Sequence, residues 1–316
     1  MRRSPSSPVA SAGSVADVLA TRLITAAILG PVILVIALLG EPWLSILVGV
    51  LAFLALVELI ALLDAGGFQP PQVLGMVIGV AVFAASLVSA NQDGVGGLLA
   101  DLLAATQPPG LAAVTMAIAA LGLGIIGFTR ADARQGFITW AVTTFGVAYV
   151  GLLTPYLAIA GHLGPIDGSA TTAVGALGMR SGAAWAVMLV LVVWGYDTGA
   201  YATGRWLGRR HLLESISPSK TVEGVLGGLI AATLAAGIGA WLVGLPAWQP
   251  LVIGPLVGLA AQAGDLAESM LKRAAGRKDS GTLIPGHGGI LDRLDSFLFA
   301  APVLVAYAML VAGFRA

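Results

Sequence analysis

Apolar and polar positions fall in long blocks along this chain. Nine apolar stretches, roughly 23–39, 43–63, 73–90, 111–128, 137–160, 183–203, 224–245, 249–270 and 297–314, are separated by short polar connections. Each is near the roughly 20 residues a helix needs to cross a bilayer core. Backbone in lipid must satisfy its own N–H and C=O groups, so runs of this length predict helices. The pattern predicts an all-α, polytopic integral membrane protein with about nine transmembrane helices. Residues 1–20, rich in Ser, Pro and Ala and carrying Arg2 and Arg3, predict a mobile N-terminal tail. The first apolar run begins only at Leu23 and already has span length, which argues against a cleaved leader. Residues 21–180 read as an N-terminal scaffold of about five spans, and 181–316 as a C-terminal catalytic region of about four.

Composition narrows the class. Of 316 residues, 58% are hydrophobic and 10% charged, with a mean hydropathy of +0.94. A soluble domain carries about 25% charged residues, so a water-soluble enzyme is excluded. Sixteen basic residues balance sixteen acidic ones, so no global field points to nucleic acid. The absence of Cys closes thiolate chemistry, and His162, His211 and His287 are too scattered for a His-rich metal site. The 43 glycines suit close helix packing in lipid, most clearly in GVLGGLIAATLAAGIGA from Gly224 to Ala240. Such small-residue faces are compatible with a homodimer. No internal repeat gives the signal of an inverted-repeat transporter.

Charge position sets an orientation. With the N-terminus cytoplasmic, fourteen of the sixteen basic residues fall on the inner side of nine spans, and only Arg180 and Arg315 fall outside. Such a bias predicts a cytoplasmic N-terminus in the inner or plasma membrane, with the chemistry on the cytoplasmic side. Nine of the fourteen lie in the connections 204–223 and 271–296.

Acids inside spans are costly and need a reason. Glu58, Asp197, Asp265 and Glu268 all sit in apolar stretches. Asp265, Glu268, Ser269 and Lys272 fall at i, i+3, i+4 and i+7, hence on one helical face. Read alone, Glu268–Lys272 is equally a solvated pair at a helix end, Asp197 half of a structural ion pair, and Glu58 a lone structural acid.

The connection after Lys272 carries the densest chemistry. From Ser269 to Ser296 it reads SMLKRAAGRKDSGTLIPGHGGILDRLDS. Lys272, Arg273, Lys278 and Arg293 suit phosphoryl oxygens. Asp279, Asp292 and Asp295 suit Mg²⁺, which takes oxygen ligands together with substrate phosphate and water. Gly288 and Gly289 permit close approach of an anion, and His287 between glycines is placed to bond phosphate or move a proton. Asp292 follows Asp265 by 27 residues, and a helix hairpin would bring the two together. In the other basic connection, Ser217-Pro-Ser-Lys220-Thr221-Val-Glu223-Gly224 supplies donors ahead of a helix start, with Ser219 or Thr221 as the cap.

Taken together, Ser269-x-x-Lys272-Arg273, Lys278-Asp279, His287-Gly-Gly and Asp292-Arg293-x-Asp295 resemble the signature of the CDP-diacylglycerol synthase (phosphatidate cytidylyltransferase) family. Asp197-x-x-Ala-Tyr201-x-x-Gly204-Arg205 and Ser217-Pro-x-Lys220-Thr221-x-Glu223-Gly224 match in the same order. The resemblance is specific over about 180–316. It implies a nucleotidyltransferase of phospholipid biosynthesis that converts CTP and phosphatidic acid to CDP-diacylglycerol and pyrophosphate. It implies Mg²⁺ on Asp265 and Asp292, with K⁺ as a candidate second ion. It places Lys272, Arg273, Lys278 and His287 with those acids in catalysis. Asp197, Tyr201, Ser217, Lys220, Thr221, Glu223, Ser269, Asp279, Gly288, Gly289, Arg293 and Asp295 fall to substrate binding. Membrane lipid is the expected surrounding partner, and nucleic acid is not expected. The rival readings are another CTP-dependent lipid-phosphate enzyme, such as a polyisoprenol kinase, and an ion-coupled transporter using Glu58, Asp197 and Asp265 as relay acids. A CDP-alcohol phosphotransferase is disfavoured because its DG…AR…D…D pattern is absent.

Overall fold

The computed structural model describes residues 15–40, 42–93, 110–165, 181–284, 288–312 and 314–315. Its long helices are α1 (Val15–Leu39), α2 (Trp43–Ala65), α3 (Gln72–Asp93), α4 (Leu111–Phe128) and α5 (Ala133–Gly151), then, after the short α6 (Pro155–Ala160), α7 (Ser181–Leu207), α8 (Val222–Val243), α9 (Pro250–Ala274) and α10 (Leu291–Leu310). Among the described residues, seven helices are long and apolar enough to cross a membrane, and Ala27–Leu39 and Gln72–Val88 form two shorter apolar ones. The protein is an all-α polytopic membrane protein, and every predicted apolar stretch contains a helix.

Three boundaries differ from the sequence reading. Helix α1 starts at Val15, inside the predicted tail, and residues 1–14 lie outside the described residues. The stretch 137–160 is broken between α5 and α6, where Pro155 cannot donate to the carbonyl of Gly151 and opens a new helix. The connection 204–223 holds a β-hairpin, β1 (His211–Leu213) with β2 (Ser217–Thr221), antiparallel with His211 opposite Thr221.

The core joins the two halves of the chain. One buried cluster gathers Tyr156, Trp185, Met188, Tyr196, Ala232, Ile253, Val257 and Leu304 from α6 through α10. A second packs Leu56, Leu59 and Leu63 of α2 and Tyr149 of α5 against Leu291, Leu294 and Leu298 of α10. Helix α10 therefore belongs to both. Helices α7 and α8 pack most extensively. Their seam is lined by small residues: a Cβ at Gly199 would lie 2.8 Å from the carbonyl oxygen of Gly227, and one at Gly227 would strike the Thr203 side chain. Gly199 meets the Gly227 carbonyl directly, and only the small side chains of Thr203 and Ala231 fill the seam beside them, as close helix packing in lipid allows.

Connections sort to two ends as alternating spans require. At one end Arg130 donates to Gln69 O at 2.8 Å, Arg273 donates to Ile216 O at 3.4 Å, and Ala275 packs on Gly66. At the other, Gly164–Pro165 pairs antiparallel with Phe314–Arg315, and Gly161 abuts Gly182. The basic connections share the first end.

Candidate active site

The site is assembled at that basic end by the hairpin, the C-terminal turns of α9 and the N-terminal turns of α10. The helical spacing of Asp265, Glu268, Ser269 and Lys272 holds, and their face turns toward α10 and the hairpin. Lys220, at the end of β2, forms an ion pair with Asp265, whose other carboxylate oxygen accepts from Ser269 Oγ at 3.4 Å. Lys272 forms an ion pair with Glu268 and donates to Asp292 Oδ1 at 2.7 Å. One lysine from the hairpin and one from α9 thus pair with three carboxylates, two on α9 and one on α10.

Local backbone chemistry fixes Asp292. It sits in the first turn of α10, and Oδ2 accepts from Gly289 N at 2.8 Å and Ser280 N at 3.1 Å. An acid in a first helical turn also meets the positive end of the helix dipole. Gly288 has φ +85°, a left-handed conformation that glycine adopts without strain, and Ile284 N donates to its carbonyl at 2.9 Å. That turn delivers the Gly289 N–H to the carboxylate. Three residues on, Asp295 is buried and accepts from Ser296 N at 2.6 Å. It lies within electrostatic range of Asp265 and Asp197.

The hairpin end is held by its own caps. Thr221, not Ser219, caps α8, its Oγ1 accepting from Gly224 N at 3.1 Å. Glu223 accepts from the Arg209 and Arg210 N–H groups at 3.0 and 3.2 Å, closing the hairpin on itself. Ser217 stands opposite Leu213 in the ladder. Arg273 donates to Ile216 O and Arg277 O, tying α9 to the hairpin.

Other predicted residues lie around this cluster. Asp197 on α7 is exposed, with Asp265, Lys220 and Arg293 as its charged neighbours, so it is not half of a buried structural pair. Tyr201 is 68% exposed, and its hydroxyl accepts from Arg205 Nη1 at 3.3 Å. Lys278, Asp279 and Arg293 are exposed. His287 lies outside the described residues.

Two acids differ from their blander readings. Glu268 is fully buried rather than emerging into water, and its Oε1 has no hydrogen-bond partner among the described residues. Glu58 is also buried, and it reaches from α2 to the start of α10, accepting from Leu291 N at 2.8 Å. Its partner Ser280 and the Tyr196–Gln262 hydrogen bond of 3.0 Å beneath the cluster are further polar contacts that sequence spacing did not expose.

The donor set suits a hard cation. Asp265, Glu268, Asp292 and Asp295 carry the carboxylate oxygens that would hold it, and Glu268 Oε1 is a buried acceptor with no hydrogen-bond partner among the described residues. Among the described residues no three His, Asp or Glu side chains form a ready-made cage. Mg²⁺ seldom uses one: it takes one or two carboxylates and fills its shell with water and substrate phosphate.

An integral membrane protein with paired lysines and carboxylates gathered at one end of its helix bundle is a protein equipped to handle anionic groups at a lipid surface. The chain belongs to the cytidylyltransferase family, whose model matches residues 20–311. It is 48% identical over 127 residues to a phosphatidate cytidylyltransferase of Synechocystis, covering 40% of this chain and 43% of that one. It is 49% identical over 116 residues to the phosphatidate cytidylyltransferase of Bacillus subtilis, covering 36% and 43%, and 48% identical over 116 residues to that of Staphylococcus haemolyticus, covering 36% and 45%. The chain spans less than half the length of the relatives it matches.

Proposed function

We propose that the protein transfers a cytidylyl group from CTP to phosphatidic acid, forming CDP-diacylglycerol and pyrophosphate. The observation that carries this reading is the pair of bridges Lys220–Asp265 and Lys272–Asp292, which bring two cations and two acids from distant segments to one end of the bundle. The names of the relatives supply the substrates.

The reaction joins two anions. A phosphatidate oxygen attacks the α-phosphorus of CTP, a new P–O bond forms, the bond to the β-phosphate breaks, and pyrophosphate leaves with the electron pair. The nucleophile is already an anion, so no Ser or Cys nucleophile is needed. The protein's part is to neutralise and align, as in phosphoryl transfer generally. Lys220 and Lys272 are held by carboxylates, so their donors are oriented rather than free to rotate. Arriving phosphates compete for them. Arg293 and Lys278, exposed beside the cluster, extend the positive surface toward incoming nucleotide. Asp265 and Asp292 would hold Mg²⁺, with Glu268 and Asp295 behind them. The ion would offset charge on the CTP phosphates and on the leaving pyrophosphate. K⁺ remains the candidate second ion.

The basic end faces the cytoplasm in this reading, where positively charged connections are retained and CTP is available. Phosphatidate would keep its head group at that interface with its tails among the helices. The test is incubation of the purified protein with radiolabelled CTP, phosphatidate and Mg²⁺, followed by separation of lipid and nucleotide products. Labelled CDP-diacylglycerol with equimolar pyrophosphate supports the reading. Release of CDP would point to a kinase, and no lipid product would overturn it.

A further inference from the structure

Glu58 is the acid that the reaction scheme leaves unused, yet it is among the most tightly integrated polar groups of the protein. It is 5% exposed, lies within α2, and is 233 positions from its partner Leu291. Its Oε2 accepts from Leu291 N at 2.8 Å and from Ser280 Oγ at 3.3 Å. Leu291 is the first residue of α10, so its N–H is one of the donors a helix start leaves open. Ser280, itself buried, is bonded twice to Asp292: its N–H donates to Oδ2 at 3.1 Å, and its Oγ accepts from Asp292 N at 3.3 Å. The loop closes around this carboxylate so tightly that a Cβ on either Gly281 or Gly289 would collide with it.

We infer that Glu58 is a positioning residue that sets the place of Asp292 by clamping Ser280 and Leu291, the residue bonded to Asp292 and the one that precedes it. The inference deepens the cytidylyltransferase reading and rests on it for the chemistry, although not for the clamp. A buried carboxylate is costly without donors, and here both donors reach Oε2 from Ser280 and Leu291, while Oε1 has no hydrogen-bond partner among the described residues. Loop and acid therefore hold each other in one arrangement. A loop anchored only by its own glycines would let Asp292 wander, and misplacement by about 1 Å is enough to cost about 10²-fold in rate. The clamp also couples the N-terminal half of the chain to the catalytic connection.

The experiment compares Glu58→Gln, Glu58→Asp and Ser280→Ala with the parent protein in detergent. Four quantities are read: kcat, KM for CTP, the melting temperature, and the rate of tryptic cleavage after Arg277 and Lys278, which are exposed just before Ser280. Cleavage follows how often a segment opens, independent of catalysis. Glu58→Gln is expected to lower kcat about 10- to 100-fold with KM changed less than about threefold, and to speed cleavage, at a melting temperature close to that of the parent. Glu58→Asp, which keeps the charge, is expected to recover part of both. Ser280→Ala leaves the buried acid in place and is expected to shift kcat and cleavage in the same direction, so it decides the matter if the Glu58 variants do not fold. Unchanged cleavage and kcat in folded variants would overturn the inference. So would a fall in melting temperature with neither of the other two altered, the result of a purely structural acid. If the parent protein makes no lipid product, the reaction assignment fails, while the cleavage comparison still decides the clamp.

Discussion

Lys220 and Asp265, 45 positions apart, form an ion pair that joins the β-hairpin to the last turns of α9. Neither partner is fully buried, with side-chain exposures of 20% and 28%, so the pair is reachable by a competing anion. Lys220→Ala is expected to lower kcat by about 10²-fold and to raise KM for CTP or phosphatidate. Steady-state formation of the lipid product checks this. An unchanged rate would reduce the 217–224 segment to a helix cap.

The carboxylates carry a stronger expectation. Asp265→Asn and Asp292→Asn each remove a charge that a lysine faces, and each should abolish nearly all CDP-diacylglycerol formation. The proteins should still insert into membranes, since exchanging one carboxylate for an amide leaves α9 and α10 no less apolar. Activity near the parent level in either variant would refute the metal assignment.

Withdrawal of divalent cations tests the same site without mutation. Chelation of Mg²⁺ should stop turnover, and readdition should restore it. Sustained turnover in chelator would exclude the charge-offsetting role of the ion.

Thr221 offers a stability prediction separable from chemistry. Its hydroxyl caps α8, so Thr221→Ala should cost about 1 kcal/mol of stability. Thermal melting in detergent reads the loss. Activity per folded molecule falls only if the hydroxyl also contacts substrate.

The α7–α8 seam makes the largest structural demand. Gly227→Leu would force a side chain into the space of Thr203 and part the two helices. Overpacking of this kind costs about 1–3 kcal/mol, and the variant should melt earlier and lose activity together. A variant that melts like the parent would show that the seam can open.

Much of this site was legible because helical spacing alone places residues. The positions of Asp265, Glu268, Ser269 and Lys272 need only 3.6 residues per turn to share a face. Apolar blocks and basic connections gave the helices and their two ends for the same reason: both follow from the cost of burying polar groups in lipid. The hairpin was not legible, since three- and five-residue strands carrying Pro218 have no alternating pattern to detect. The burial of Glu268 was also hidden, because a Glu–Lys pair at a helix end reads the same whether water or α10 lies beside it. Glu58 was the least visible. A single acid in an apolar span says that a partner exists, and nothing local says that it is a helix start more than two hundred residues away.

The contact of α7 with α8 has a mechanical corollary. With Gly199 against the Gly227 carbonyl and Thr203 filling the notch at Gly227, the two rods cannot slide or separate without losing their fit. Asp197 rides on the first, and Lys220 stands just ahead of the second. Any movement that parts α7 from α8 would therefore change the spacing of Asp197 and Lys220, so the fit of this seam is a condition for the polar cluster to keep its shape.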